Sequence, residues 1–307
     1  MKVFLTGGSG YIGSRVARAL VAQGCQVLGL ARNDIAAQKL LKMDVEPLSG
    51  NLTEPDRIAR LASNADAVIH TAFIHNFGHY ASSVEAECNI LSAITRALAG
   101  SGKTLIVTSS TGVMGDTGTN VVDETHSPDF THALSLRYRS EQTAQAAAKE
   151  NVRSIVLRLP VLVYGHAGST FLPMYIENTQ KRRTADYVDG DYALCASHVD
   201  DVVAGYLLAL EKGQAGEVYQ LAAESGVPLK DLAEAVGRTL KVPAQAIGRE
   251  AARESLGDVL GMVFSLNNRA SGQKAMDQLA WQPQEGRNLL SDLEQGSYAT
   301  AFALSGR

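Results

Sequence analysis

Lys2-Val3-Phe4-Leu5-Thr6-Gly7-Gly8-Ser9-Gly10-Tyr11-Ile12-Gly13 is the stretch from which the rest of the chain is read. A short apolar strand runs directly into a turn with glycines at positions 7, 10 and 13. Beyond it, Ile12, Val16 and Leu20 recur at four-residue spacing as far as Gly24, which describes a helix with one buried stripe and a glycine stop. A glycine-rich strand-to-helix turn turns the unpaired N–H groups of the first helical turn toward an anion, so Gly7, Gly10, Tyr11, Ile12 and Gly13 are expected to cradle the paired phosphates of a dinucleotide.

The next apolar run, Val27-Leu28-Gly29-Leu30, completes a β-α-β unit and delivers Arg32 to its carboxyl end. There an acidic residue would favour a free ribose 2′-hydroxyl, whereas a guanidinium neutralises a 2′-phosphate, so NADP(H) is preferred, with NAD(H) as the alternative and Asp34 as a complication. Further short apolar runs at Ala67–His70, Leu105–Thr108 and Ser154–Leu159 alternate with Ala/Leu-rich stretches near 82–99 and 133–149. This alternation predicts an α/β protein: a doubly wound parallel Rossmann sheet, with the ligand beyond the carboxyl ends of its strands, and a smaller C-terminal substrate-binding lobe. Residues 1–164 are expected to form the dinucleotide-binding domain and 165–307 mainly the lobe, with 195–222 returning to the sheet.

Composition narrows the partners. A formal net charge of −4 over 307 residues offers no basic field for nucleic acid. No apolar run approaches the roughly 20 residues that cross a bilayer, and the first strand begins too early for a signal peptide, so a cytoplasmic location is expected. Cys25, Cys88 and Cys195 are too scattered for a disulfide framework, and the histidines show no metal-ligand spacing, so no metal site is expected.

Taken with the opening turn, Gly50-Asn51-Leu52, Val107-Thr108-Ser109-Ser110, Arg158-Leu159-Pro160-Val161-Leu162-Val163-Tyr164-Gly165 and His198-Val199-Asp200-Asp201-Val202 resemble an extended short-chain dehydrogenase/reductase, in particular atypical members of the NAD-dependent epimerase/dehydratase branch. The resemblance implies that Asn51 and Leu52 lie on the adenine side, that Ala72 and the backbone around it flank the cofactor, and that Pro160 to Val163 approach the nicotinamide. It also implies a homodimer through a helical face. For chemistry it implies a Ser or Thr that polarises the substrate oxygen, matched by Ser110, a proton-transferring Tyr, matched by Tyr138, and a Lys four residues later that binds the ribose and lowers the Tyr pKa. Position 142, however, is Gln. Gln142 can hydrogen-bond a ribose but supplies no charge. Shifting the register by one residue places Arg137 at the Tyr position and Glu141 at the Lys position, and either register breaks the usual constellation.

Phe73, Met114 and Phe171, with Phe77, Tyr80, Met174 and Tyr175, are expected to line an apolar substrate chamber. Too few converging polar groups accompany them for sugar recognition. A small, partly apolar ketone or aldehyde, reduced by hydride transfer with Ser110 orienting its oxygen and Tyr138 returning a proton, is therefore the expected substrate. An epimerase or dehydratase, and a catalytically idle cofactor-responsive binding protein, are the alternatives. His198, followed by two aspartates, is read as a helix entry.

Overall fold

The computed structural model describes residues 1–303. Its first half alternates β1 (Lys2–Thr6), α1 (Tyr11–Ala22), β2 (Gln26–Ala31), α2 (Asp34–Leu41), β3 (Glu46–Ser49), α3 (Pro55–Ser63), β4 (Ala67–His70), α4 (Tyr80–Leu98), β5 (Thr104–Ser110), α5 (Tyr138–Ala146) and β6 (Arg153–Leu159). The second half adds β7 (Leu162–Tyr164), α6 (Phe171–Arg182), β8 (Ala185–Val188), β9 (Ala193–His198), α7 (Val199–Lys212), β10 (Val218–Gln220), β11 (Glu224–Pro228), α8 (Leu229–Leu240) and β12 (Ala244–Ile247). Helices α9 (Ala252–Val263), α10 (Gln273–Leu279), α11 (Leu289–Gln295) and α12 (Ser297–Ala303) follow.

Seven parallel strands form the central sheet in the order β10-β6-β5-β4-β1-β2-β3. Val3, Phe4 and Leu5 are fully buried because helices cover both faces, and each contributes roughly 1.5–3 kcal/mol by leaving water. Strand order reverses between β1 and β4, so the chain departs in opposite directions from these neighbours and leaves a crevice at their carboxyl ends. Helix α1 ends as its glycine stop predicts. Gly24 takes φ +78°, and the Cys25 N–H donates back to the Leu20 carbonyl at 3.0 Å.

Pro160 follows β6 directly and brings no N–H, so the backbone leaves the central sheet there. Strand β7 joins a separate three-stranded sheet, β11-β9-β7. That sheet, the β12-β8 pair and helices α6, α8 and α9 enclose a second apolar core around Tyr175, Leu232, Leu260 and Phe264. The chain then returns to the first core. Helix α7 packs on α1 and β10 extends the main sheet, and α10 with Trp281 joins them without a sequence signal. Trp281 is fully buried, and its indole N–H donates to the Asp201 carbonyl of α7 at 2.7 Å. His198 caps α7, its Nδ1 accepting from the Asp200 N–H at 3.2 Å. All three cysteines are free, and among the described residues no helix is long and apolar enough to cross a membrane.

Candidate active site

A cleft of about 720 Å³ opens at the reversal of strand order. Gly7, Gly10, Tyr11, Ile12 and Gly13 line its floor, Arg32, Asn51 and Leu52 one end, and Ser110, Pro160 and Val163 the other, with Ala72, Phe73 and Phe171 along the wall. Three features fit a dinucleotide's paired phosphates. Gly10 caps α1 without a side chain, which leaves the first-turn N–H groups unclosed by the protein. Gly7 takes φ +74°, and a Cβ there would meet Ala72 N at 2.8 Å. No acidic residue stands in the first turn of α1 to compete for the site.

At the end of the cleft beside β2, Arg32 is exposed, and no ion pair among the described residues involves it. Asn33 caps α2 by accepting from the Ala36 N–H at 2.9 Å, which places Asp34 in the first helical turn. Asn51 turns its Oδ1 inward to accept from the Thr53 N–H at 3.3 Å and still borders the cleft. The residues between β7 and α6 close over the glycine turn. Tyr11 donates its hydroxyl to the Gly165 carbonyl at 2.8 Å, and Ser169 and Thr170 line the cleft directly. His166 lies 3.0 Å from the Asp200 carboxylate, which also has the Arg287 guanidinium at 3.8 Å.

At the opposite end, Ser110 accepts from the Gly112 N–H at 3.1 Å, leaving its hydroxyl proton available to an oxygen in the cleft. Two other residues expected here stand elsewhere. Tyr138 does not line the cleft; its ring makes an edge contact with Phe130 and packs on the cluster of Val113, Met114, Val122 and Cys195. Gln142 lies on a separate surface groove with Ser92, Arg96 and Glu150. The neighbouring register faces inward instead. Arg137 lines the cleft, and Glu141 is fully buried beneath it. One residue along a helix is a rotation of about 100°, so Tyr138 and Gln142 cannot share that face.

Met114 is likewise a correction: it is fully buried in the same cluster and lines no substrate chamber. Phe73 and Phe171 do face the cleft, and Phe77 bridges Tyr80 and Phe171 with ring centroids 6.2 Å from each. Tyr175 belongs to the lobe core, whereas Met174 is exposed.

Glu87 escaped the sequence reading, although it had a signal. It sits at helical spacing within the buried stripe Ser83, Val84, Ile90, Leu91 and Ile94 of α4, and a carboxylate in such a stripe requires a partner. That partner is Arg137, with Nη2 2.6 Å from Oε1 and Nε 3.0 Å from Oε2. Burial disfavours the Arg137 charge, but Glu87 outweighs it and holds the pKa above its ordinary value. His70 bonds Thr6 through Nδ1 at 2.8 Å, and burial lowers its pKa to about 4, so it is neutral at neutral pH. His75, on the cleft wall, is also lowered, first by burial and then by Arg137.

Residues 3–222 match the model of the NAD-dependent epimerase/dehydratase family. An uncharacterized protein of Schizosaccharomyces pombe is 33% identical over 301 residues, covering 97% of this chain and 100% of the relative. A 4-hydroxy-2-methyl-3-oxo-4-farnesyl-3,4-dihydroquinoline-1-oxide ketoreductase of Stigmatella aurantiaca is 30% identical over 80% of this chain and 75% of its own. Among solved structures, a double mutant of the dTDP-glucose 4,6-dehydratase of Streptomyces venezuelae, with NAD bound, superposes at TM-score 0.80 with 19% identity, over 98% of this chain and 97% of that one. At that identity the likeness speaks for the fold alone.

Proposed function

This chain belongs to the NAD-dependent epimerase/dehydratase family, and from that membership we propose that it is an NADP-dependent oxidoreductase that reduces a small, partly apolar ketone or aldehyde. The observation that carries the proposal is the continuity of one cleft, from Arg32 past the glycine turn to Ser110 and the Phe73 and Phe171 rings. Its polar end suits a phosphorylated adenosine, its floor a diphosphate, and its apolar end a carbonyl compound with a hydrocarbon body. The ketoreductase relative from Stigmatella aurantiaca supports the same direction of chemistry.

Bound in this cleft, the dinucleotide would supply a hydride to a carbonyl carbon at the Ser110 end. The chain's own residues position and polarise. The α1 N–H groups would hold the diphosphate, Pro160 and Val163, which line the cleft, would border the nicotinamide, and the Ser110 hydroxyl would donate to the substrate oxygen. Tyr138 takes no step in this scheme, so Tyr138→Phe is expected to leave turnover within about threefold of wild type. Ser110→Ala, which removes a donor from the reacting oxygen, should lower kcat by on the order of 100-fold. Steady-state NADPH consumption with a panel of aldehydes and ketones checks both, and unchanged turnover in Ser110→Ala would remove the oxygen contact.

Cofactor choice is tested at Arg32. A guanidinium on a 2′-phosphate contributes about 1.5–3 kcal/mol, or roughly 10–100-fold in affinity. NADPH is therefore expected to bind at least tenfold more tightly than NADH in a fluorescence titration. Arg32→Ala should erase the difference by weakening NADPH alone. Equal affinities in the wild-type protein would end the NADP assignment, and no binding of either compound would end the cofactor reading altogether.

A further inference from the structure

We propose that Arg137 is a catalytic residue that holds the substrate oxygen with a permanent positive charge, where a tyrosine would be expected in this family. The proposal rests on the reductase reading above and names the group that completes its site. Arg137 precedes α5, and its guanidinium reaches the cleft wall, with Cζ 4.1 Å from the centre of the Phe73 ring. Two of its nitrogens are committed: Nε and Nη2 grip Glu87, and Nη2 also donates to the Thr108 carbonyl at 2.7 Å. No hydrogen bond among the described residues engages Nη1, and the side chain keeps 8% of its surface exposed. One edge of a clamped cation is thus left for a ligand of the cleft.

Its placement suits an oxyanion. Thr108, which accepts from Arg137, lies two residues before Ser110 on β5, so the guanidinium and the Ser110 hydroxyl are fixed to the same strand end. Glu87 and Thr108 hold the fork before any substrate arrives, so little reorganisation is required during reaction. Phe73, stacked beneath it, offers an apolar surface to the body of the same substrate. Neither register supplies the family's lysine, since position 142 is Gln and position 141 is a glutamate bound to Arg158, which leaves Arg137, paired with Glu87 but with Nη1 uncommitted, as the arginine or lysine among the described residues that line this end.

The chemistry balances without a tyrosine. As the hydride's electron pair forms the new C–H bond, the π pair of the C=O bond moves to oxygen, giving an alkoxide that Arg137 Nη1–H and Ser110 Oγ–H stabilise. Arginine keeps its own protons, so the proton that completes the alcohol comes from solvent water. The carbonyl compound is reduced and the dihydronicotinamide oxidised, one hydride for one proton.

The test uses benzoate, whose carboxylate imitates the alkoxide and whose ring imitates the hydrocarbon body. Isothermal titration of the complex with NADP⁺ should show benzoate binding to the wild-type protein. Arg137→Met paired with Glu87→Gln, which avoids leaving a buried carboxylate alone, should bind benzoate 10–100-fold more weakly while keeping its NADP⁺ affinity within about threefold. Arg137→Lys keeps the charge but not the fork and should fall between them. In turnover the double variant should lose roughly 100-fold in kcat. Undiminished benzoate affinity in a double variant that still binds NADP⁺, or no benzoate binding by the wild type, overturns the role of Arg137 whatever the turnover. Wild-type protein that binds benzoate through Arg137 but reduces no carbonyl overturns the reductase reading and leaves the anion site standing.

Discussion

Glu141→Lys is expected to unfold the protein instead of repairing its active site. The substitution would put a lysine four residues after Arg137, in the register that faces the sheet, but that position is fully buried and already occupied by a network that needs a carboxylate. Glu141 Oε1 accepts from the Ser109 hydroxyl at 2.6 Å and from Arg158 Nε at 3.0 Å, and Oε2 accepts from Arg158 Nη2 at 2.8 Å. Arg158 is 2% exposed, and its Nη1 has no hydrogen-bond partner among the described residues, so Glu141 is the carboxylate that pairs with it directly, with Glu124 adding a weaker electrostatic contribution. An ammonium in that place offers donors only. It would meet a buried guanidinium with no anion between them, and Ser109 would lose its acceptor. Breaking a buried pair by removing one partner costs about 3–5 kcal/mol, and a like charge adds to that, against a total stability of roughly 5–15 kcal/mol. Urea unfolding followed by circular dichroism should show little or no folded baseline. Two companions sharpen the result. Gln142→Lys, the lysine of the other register, sits on an exposed groove and should shift stability by no more than about 0.5 kcal/mol. Glu141→Leu combined with Arg158→Met removes both charges and should recover most of the loss. A Glu141→Lys protein within 1 kcal/mol of wild type would mean that this pair does not brace the sheet.

That contrast shows where the sequence was legible. The β1–turn–α1 unit was readable because its signals are local: apolar runs, glycine spacing and a glycine stop lie within 24 residues, and each has one backbone meaning. The helix that begins near residue 133 was not. Arg137-Tyr138-Arg139-Ser140-Glu141-Gln142 offers polar groups on every side, so periodicity cannot choose between the 137/141 and 138/142 faces. The choice is made by partners 50 and 17 residues away, Glu87 and Arg158, and although the stripe around Glu87 signals its burial, only the folded chain reveals which residue each one pairs with. Tyr138 carries the hydroxyl that the family resemblance calls for, yet its neighbours Phe130 and the Met114 cluster hold it away from the cleft. Met114 itself was misread for the opposite reason, because an apolar side chain near a site looks the same in sequence whether it faces a ligand or a core. The departure of β7 from the main sheet had a written cause in Pro160, but the destination, beside β9, depends on a strand about thirty residues further on.

The other large effect is expected at the glycine floor of the cleft. Gly13→Ala is expected to abolish dinucleotide binding, because the added methyl has no room in the turn that would hold the phosphates. A Cβ at Gly13 would lie 2.2 Å from the Gly7 carbonyl oxygen and 2.7 Å from its carbon, with Thr71 Oγ1 at 2.8 Å. These are principally backbone atoms, and Thr71 is held by its own bond to the Thr6 carbonyl at 2.7 Å, so no flexible side chain can swing away. Relief requires the turn to shift. The Gly7 carbonyl that must move also accepts from the Gly10 N–H at 2.9 Å, so the displacement passes directly to the residue that caps α1 and redirects its open N–H groups. Misplacing several charge-assisted donors at once should weaken NADPH by more than 100-fold, since each contributes about 1.5–3 kcal/mol. The effect should be separable from general unfolding. Gly248→Ala, at an ordinary φ of −66° with nothing within 4 Å of the added carbon, is the neutral reference. In thermal melts the wild type and Gly248→Ala should both gain stability with saturating NADPH, because a ligand that binds only the folded state raises the melting point by mass action, while Gly13→Ala should gain none. If Gly13→Ala retains the wild-type dissociation constant to within threefold, the turn does not hold the cofactor in the manner its geometry implies.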